Sequence, residues 1–198
     1  MMDIVEFREY TKDIPSAWRG FEKFAYQLVH LLQPKVTVEL GVNWGYSLVA
    51  LARADIGHVY GVDVFEPLDY IKGWGGPRDD YPVVKELITP FLNIELIKGW
   101  FADVASTWDK PIDILHIDGN HTYHDIVRDY EAWSPHVAQD GVILLHDVIA
   151  FPEYGSFFYE LDACRLLNDY DCGLGIIGSR KVIKDIYNKF PNLKVVQL

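Results

Sequence analysis

Cysteine is nearly missing from this 198-residue chain: Cys164 and Cys172 stand eight positions apart with no C-x-x-C pattern. That excludes a disulfide framework and a thiolate zinc site, and leaves both as small packing residues. Long apolar runs are missing too. The opening MMDIVEFREYTKDIP mixes acids with apolar residues, so neither a secretory signal nor a membrane span is expected, and the chain is placed in the cytoplasm with no membrane partner. Positive charge is scarce, with 18 Lys and Arg against 29 Asp and Glu for a formal net charge of −11. Without clustered cations a nucleic-acid partner is excluded, and the expected substrate is a small molecule. No repeat or biased tract is visible, and the length suits one compact domain.

What is present is an alternation of short apolar runs and helical patterns. Pro15-Ser16 followed by Trp18, Phe21, Phe24, Ala25, Leu28, Val29 and Leu32 spaces apolar residues as a helix does, with Ser16 as its N-cap. Strands are expected at Lys35–Leu40, His58–Val64, Ile94–Lys98, Ile112–Ile117 and Gly141–His146. Helices are expected at Tyr46–Ala54, Tyr81–Leu92, His121–His136 and Gly155–Asn168. Towards the end, Leu174–Ile177 and Leu193–Gln197 read as strands around a helix over Lys181–Lys189. The pattern predicts an α/β protein: a Rossmann-like, doubly wound, mostly parallel sheet of about seven strands with helices on both faces, preceded by an N-terminal helix. A single domain would then comprise a helical extension over 1–34, a core over 35–150 and C-terminal helices and strands over 151–198. The insert from Lys72 to Asp80, rich in glycine, forbids a regular element and is a candidate lid.

After the first expected strand comes Glu39-Leu-Gly41-Val-Asn43-Trp-Gly45. Its glycines let the backbone turn tightly and approach a ligand at the next helix, but the G-x-x-x-G spacing lacks the arrangement a dinucleotide favours. The second strand ends in Gly61-Val-Asp63, where a carboxylate can accept both hydroxyls of a ribose. Together these make a nucleoside-binding half-site. The chemistry is densest further on, in Asp113-Ile-Leu-His116-Ile-Asp118-Gly119-Asn120-His121-Thr-Tyr123-His124 and Leu145-His146-Asp147, which hold four of the seven histidines. If strands four and five end near Asp118 and His146, both tips face the crevice where open α/β sheets bind ligands. Two carboxylates and an imidazole there suit a hard divalent cation such as magnesium, and a further histidine can serve as general base.

The E-x-G-x-x-x-G loop resembles the S-adenosylmethionine loop of class I methyltransferases. The stretches I-D-G-N-H-T-Y-H-D-I and G-V-I-L-L-H-D-V look like the methyltransferase family that includes macrocin O-methyltransferase and relatives of cephalosporin hydroxylase. The likeness spans roughly residues 35–150. It implies an S-adenosylmethionine-dependent O-methyltransferase acting on a hydroxylated small molecule such as a sugar or natural product. Glu39, Gly41, Asn43 and Gly45 would surround the amino-acid end of the cofactor and Asp63 the ribose, with Asp118 also at the cofactor. Asp118, His146 and Asp147 would hold the metal, and His121 with Asp118 would be catalytic. Family members often carry an acid after the third strand, near the adenine; Trp100 stands there instead, and either Trp100 or Phe101 is a candidate to stack on the base. The family often pairs two acids on strand five where this chain has His146-Asp147.

Blander readings stand beside these. Asp113 reads as structural and His116 as a buried core histidine, while Tyr123 and His124 pack or cap a helix. Two other functions stay open: an S-adenosylmethionine-binding module without methyl transfer, and a nicotinamide-dependent oxidoreductase on the same architecture. A homodimer is expected from an exposed apolar N-terminal helix.

Overall fold

The computed structural model describes residues 2–66 and 80–198. The first elements are α1 (Ile4–Tyr10), α2 (Glu22–Leu32), β1 (Val36–Leu40), α3 (Tyr46–Ala52), β2 (His58–Asp63), α4 (Tyr81–Leu87), β3 (Ile94–Lys98) and α5 (Phe101–Ser106). There follow β4 (Ile112–Ile117), α6 (Tyr123–Trp133), a 3-10 turn, β5 (Val137–His146) and α7 (Pro152–Glu160), then β6 (Cys164–Asn168), β7 (Leu174–Gly178), α8 (Arg180–Lys189) and β8 (Lys194–Gln197). The insert expected between Lys72 and Asp80 lies, Asp80 apart, outside the described residues.

Among the described residues, eight strands form one sheet in the order β3-β2-β1-β4-β5-β7-β6-β8. β1 to β5 run parallel, and β7, β6 and β8 each pair antiparallel with their neighbours. The expected doubly wound α/β architecture is observed. Its cause is the period of two along the central strands: Ile114, Val142 and Leu144 turn to one face, and Leu115, Ile117, Ile143 and Leu145 to the other. On the first face they meet α2, α3 and α8 through Leu28, Val49 and Ile183, and on the second α5, α6 and α7 through Ala105, Trp133 and Phe158. Burying a residue of this size contributes about 1.5–3 kcal/mol, so strands with both faces covered hold the sheet edge rigidly around the site.

Three elements differ from the sequence expectation. The helix expected over Gly155–Asn168 ends at Glu160, and Cys164–Asn168 is a strand. Its ladder partners, β7 and β8, lie later in the chain, and buried Arg165 donates to the Phe158 carbonyl and to Gln197. A charged residue that looks like a helix's wet side is here enclosed, with both of its Nη groups bonded. The N-terminal helix begins at Glu22; Ser16 instead accepts the Trp18 N–H at 3.0 Å and shapes a turn. Ahead of it stands α1, fixed by a capping box between Asp3 and Glu6.

Candidate active site

The switch from β1 to β4 in the sheet order opens a crevice at the strands' carboxyl ends. Gly41, the first residue past β1, has φ +88°, and a Cβ there would lie 2.1 Å from the Asp118 carbonyl oxygen. Only glycine lets the loop after β1 pass this close to the turn after β4. The Asp118 N–H completes the junction by donating to the Leu40 carbonyl at 2.9 Å. A cavity of about 970 Å³ results, lined by Gly41, Asn43, Asp63, Trp100, Phe101, Asp118, His121, His146 and Asp147 among others. The loop after β1 and the tips of β4 and β5 thus share one cleft, as the sequence required.

Asp63 helps to build the loop. Its carboxylate accepts the N–H groups of Val42 at 2.9 Å, Asn43 at 3.3 Å and Phe65 at 3.0 Å. Glu39, expected at the cofactor, is fully buried beneath the cavity, where it meets His116 Nδ1 at 2.9 Å. Gly45 opens α3. Trp100 and Phe101 both reach the cavity wall, and the Phe101 carbonyl accepts the Trp133 indole N–H at 3.1 Å. Asp113 is structural, accepting the N–H groups of Lys35 and Val36. Thr122 caps α6, which Tyr123 begins.

At the far side of the cleft, two carboxylates and two imidazoles alternate in a ring. His121 Nε2 lies 3.5 Å from Asp118 Oδ1 and 2.7 Å from Asp147 Oδ2; His146 Nδ1 lies 3.4 Å from Asp118 Oδ2 and 3.2 Å from Asp147 Oδ1. Asp147 has φ +63°, a left-handed conformation that an aspartate tolerates at some cost and that marks functional turns. Phe151, one turn on, stacks on the His121 ring at 4.2 Å and 11°. Sequence reasoning missed Phe151 because nothing local links it to His121.

The charges support one another. Burial would lower the His121 and His146 pKa values, but the contacts with Asp118 and Asp147 outweigh it and raise them to about 9 and about 10. Burial likewise opposes ionisation of Asp118 and Asp147, yet the imidazoles hold both carboxyls below their usual range. His121 Nε2, His146 Nδ1 and Asp147 Oδ1 are buried without hydrogen-bond partners despite these short approaches. Carboxylate and imidazole atoms that converge in this way fit a cation, and those of Asp118, His121 and Asp147 all lie within 4.8 Å of one another.

The chain belongs to a methyltransferase-domain family, whose model matches residues 38–148. The family membership expected from the glycine loop and the I-D-G-x-H-x-Y stretch therefore holds. The chain is also 32% identical over 177 residues to the uncharacterized protein y4gI of Sinorhizobium fredii (strain NBRC 101917 / NGR234), a match covering 83% of this chain and 19% of that protein. It thus spans about a fifth of that relative. Among solved structures, the SAH-bound methyltransferase PaMTH1 of Podospora anserina superposes with TM-score 0.67 at 16% identity, covering 89% of this chain and 87% of that one. The O-methyltransferase from Bacillus cereus in complex with SAH gives TM-score 0.65 at 13% identity, covering 87% of this chain and 90% of that one. At such identities the likeness is one of fold. Among the described residues, no helix is long and apolar enough to cross a membrane.

Proposed function

We propose that the chain is an S-adenosylmethionine-dependent O-methyltransferase for a small hydroxylated molecule, assisted by a divalent cation. The observation that carries this reading is the ring of Asp118, His121, Asp147 and His146 on the wall of the same cavity as the glycine loop. The residues fit the methyl donor, because Gly41 brings the loop after β1 against the turn after β4 at the cavity wall and because the cavity, about 970 Å³, accommodates a nucleoside, an amino acid and a small acceptor. S-adenosylmethionine supplies a methyl group on a sulfonium. Asn43 and the backbone at Gly41 and Gly45 bind its amino-acid end, Asp63 the ribose, and the rings of Trp100 and Phe101 border the base. Asp118, a member of the ring, is also the ring residue closest in sequence to the turn that meets Gly41.

Asp118 and Asp147 would hold the cation with His146, the buried imidazole of the ring. When bound it lowers the pKa of an acceptor hydroxyl and offsets the two carboxylate charges. The imidazole nitrogens favour a manganese-, iron- or zinc-like ion over magnesium. His121 is the ring member most open to the cavity, with 26% of its side chain exposed, and in its neutral form it receives the hydroxyl proton at Nε2. Phe151 fixes its ring plane, and the cleft aligns acceptor oxygen and methyl carbon in line.

The test is methyl transfer from labelled S-adenosylmethionine to a panel of hydroxylated metabolites, with and without added manganese or magnesium. Transfer that needs the cation is expected. S-adenosylhomocysteine binding with no transfer across the panel and no cation effect would leave a cofactor-binding module, and NADH binding would point to an oxidoreductase. His146→Gln should weaken cation binding, and His121→Gln should spare it while slowing turnover. The reverse result exchanges their roles.

A further inference from the structure

We infer that Asp129, on the second turn of α6, reads the base of the methyl donor, one of its carboxylate oxygens accepting a hydrogen bond from the exocyclic amine of adenine. The inference rests on the reading of the cavity as an S-adenosylmethionine site. Asp129 lines the cavity yet is only 2% exposed. Its Oδ1 accepts Arg128 Nε and Nη2, both at 3.2 Å. Its Oδ2 lies 3.2 Å from where a Cβ on Gly119 would stand, beside Phe101 Cε2 at 2.9 Å from the same point, and accepts no hydrogen bond among the described residues.

A glycine at 119 therefore lets the turn after β4 approach both groups closely, so that an aromatic ring and a free oxygen share one corner of the cavity wall. That shape and polarity fit a planar heterocycle carrying an N–H donor. The tip of β3, where Trp100, Phe101 and Ala102 face the same corner, offers no side-chain oxygen to do this. Several other acids of the wall are committed: Asp63 to backbone N–H groups and the ribose, Glu66 to Lys98, Asp125 to Thr122 and Arg128, Asp118 and Asp147 to the ring. Burial, only partly offset by Arg128, raises the Asp129 pKa to about 6, as expected of a carboxylate short of a donor.

Binding of S-adenosylhomocysteine and of S-inosylhomocysteine, whose 6-oxo group is an acceptor, is measured by calorimetry on the whole chain. The unaltered protein should prefer the adenosyl ligand about tenfold or more, since a site built around an N–H donor rejects its replacement. Asp129→Asn and Asp129→Ser, each checked for folding by thermal unfolding, should bring that ratio below about threefold, chiefly by weakening the adenosyl ligand. Gly119→Ala, whose methyl would press on the Phe101 ring at 2.9 Å and on Asp129 Oδ2 at 3.2 Å, should weaken both ligands and gives a second readout if the Asp129 variants do not fold. An unaltered protein that binds both ligands equally, a folded Asp129 variant that keeps the full ratio, or a Gly119→Ala chain that binds as tightly as before overturns the inference alone. Failure of the unaltered protein to bind S-adenosylhomocysteine overturns the methyl-donor reading itself.

Discussion

Two of the carboxylate–imidazole groupings in this sheet, built from acid and histidine side chains at neighbouring strands, differ in their surroundings. Glu39 on β1 and His116 on β4 are register partners, point to one face and are both fully buried. The Glu39 pKa is raised by that burial, with His116 and Ser47 only partly compensating. Asp118 and Asp147 lie just past the ends of β4 and β5, where the chain leaves the ladder and the side chains border the cavity. One or two residues of displacement along a strand thus separate a sealed structural pair from a group that meets a ligand. The lesson is positional: within the ladder a charge is a packing problem, and past its end the same charge is available for chemistry.

The sharpest way to break this contrast is to neutralise one acid of the open ring. Asp118→Asn should lower methyl transfer by about a thousandfold or more, in the range that loss of a positioned acid–base system produces. S-adenosylhomocysteine affinity should change less than about threefold. Turnover and calorimetry on the same preparation check it, and a variant as active as the parent removes Asp118 from the mechanism. The sealed pair should respond in the opposite sense. Glu39→Ala strands buried His116 and should cost about 3–5 kcal/mol in urea unfolding, while turnover per folded molecule stays within about threefold. Weakened cofactor binding at unchanged stability would return Glu39 to the cofactor.

How much of this was legible beforehand follows the same division. β1 to β5 read as apolar runs because both faces are covered, and the glycine loop and I-D-G-x-H stretch are local signals, so that half of the fold and the meeting of these stretches in one cleft were legible. The sealed character of Glu39 was not, because its partner His116 is 77 residues away and only the β1–β4 register joins them. β6 was hidden for a like reason, its ladder being formed with strands that come later. Asp129 falls in a stretch that reads as an ordinary helix, and only folding shows that this side of α6 turns to the cavity rather than to water.

A gentler probe is pH. His121 and His146 have pKa values of about 9 and about 10 in the folded chain, against about 6.5 for a free imidazole. The native state therefore binds these protons more tightly than the unfolded chain. Their stabilisation is complete below about pH 6.5 and is lost as pH climbs through 9 to 10. Chelator-treated protein should lose unfolding free energy steadily over that interval. A cation competes with the same two protons, so manganese should bind more tightly as pH rises across it. Unfolding free energy that stays level from pH 6.5 to 10 would mean that the ring does not hold its imidazoles charged.

The smallest expected effect sharpens the contrast at a single contact. Phe151 lies over the His121 ring nearly parallel at 4.2 Å and is itself 39% exposed, so it fixes the ring while adding little to the core. The sealed pair needs no such support, because His116 is enclosed and sits against Trp18 at 4.8 Å. An aromatic contact of this kind is worth about 0.5–1.5 kcal/mol. Phe151→Leu should therefore lower kcat about two- to tenfold with KM for the methyl donor and the unfolding midpoint nearly unchanged, and Phe151→Tyr should restore most of the rate. A fall in stability instead of kcat would make Phe151 a packing residue and leave His121 held by Asp118 and Asp147 alone.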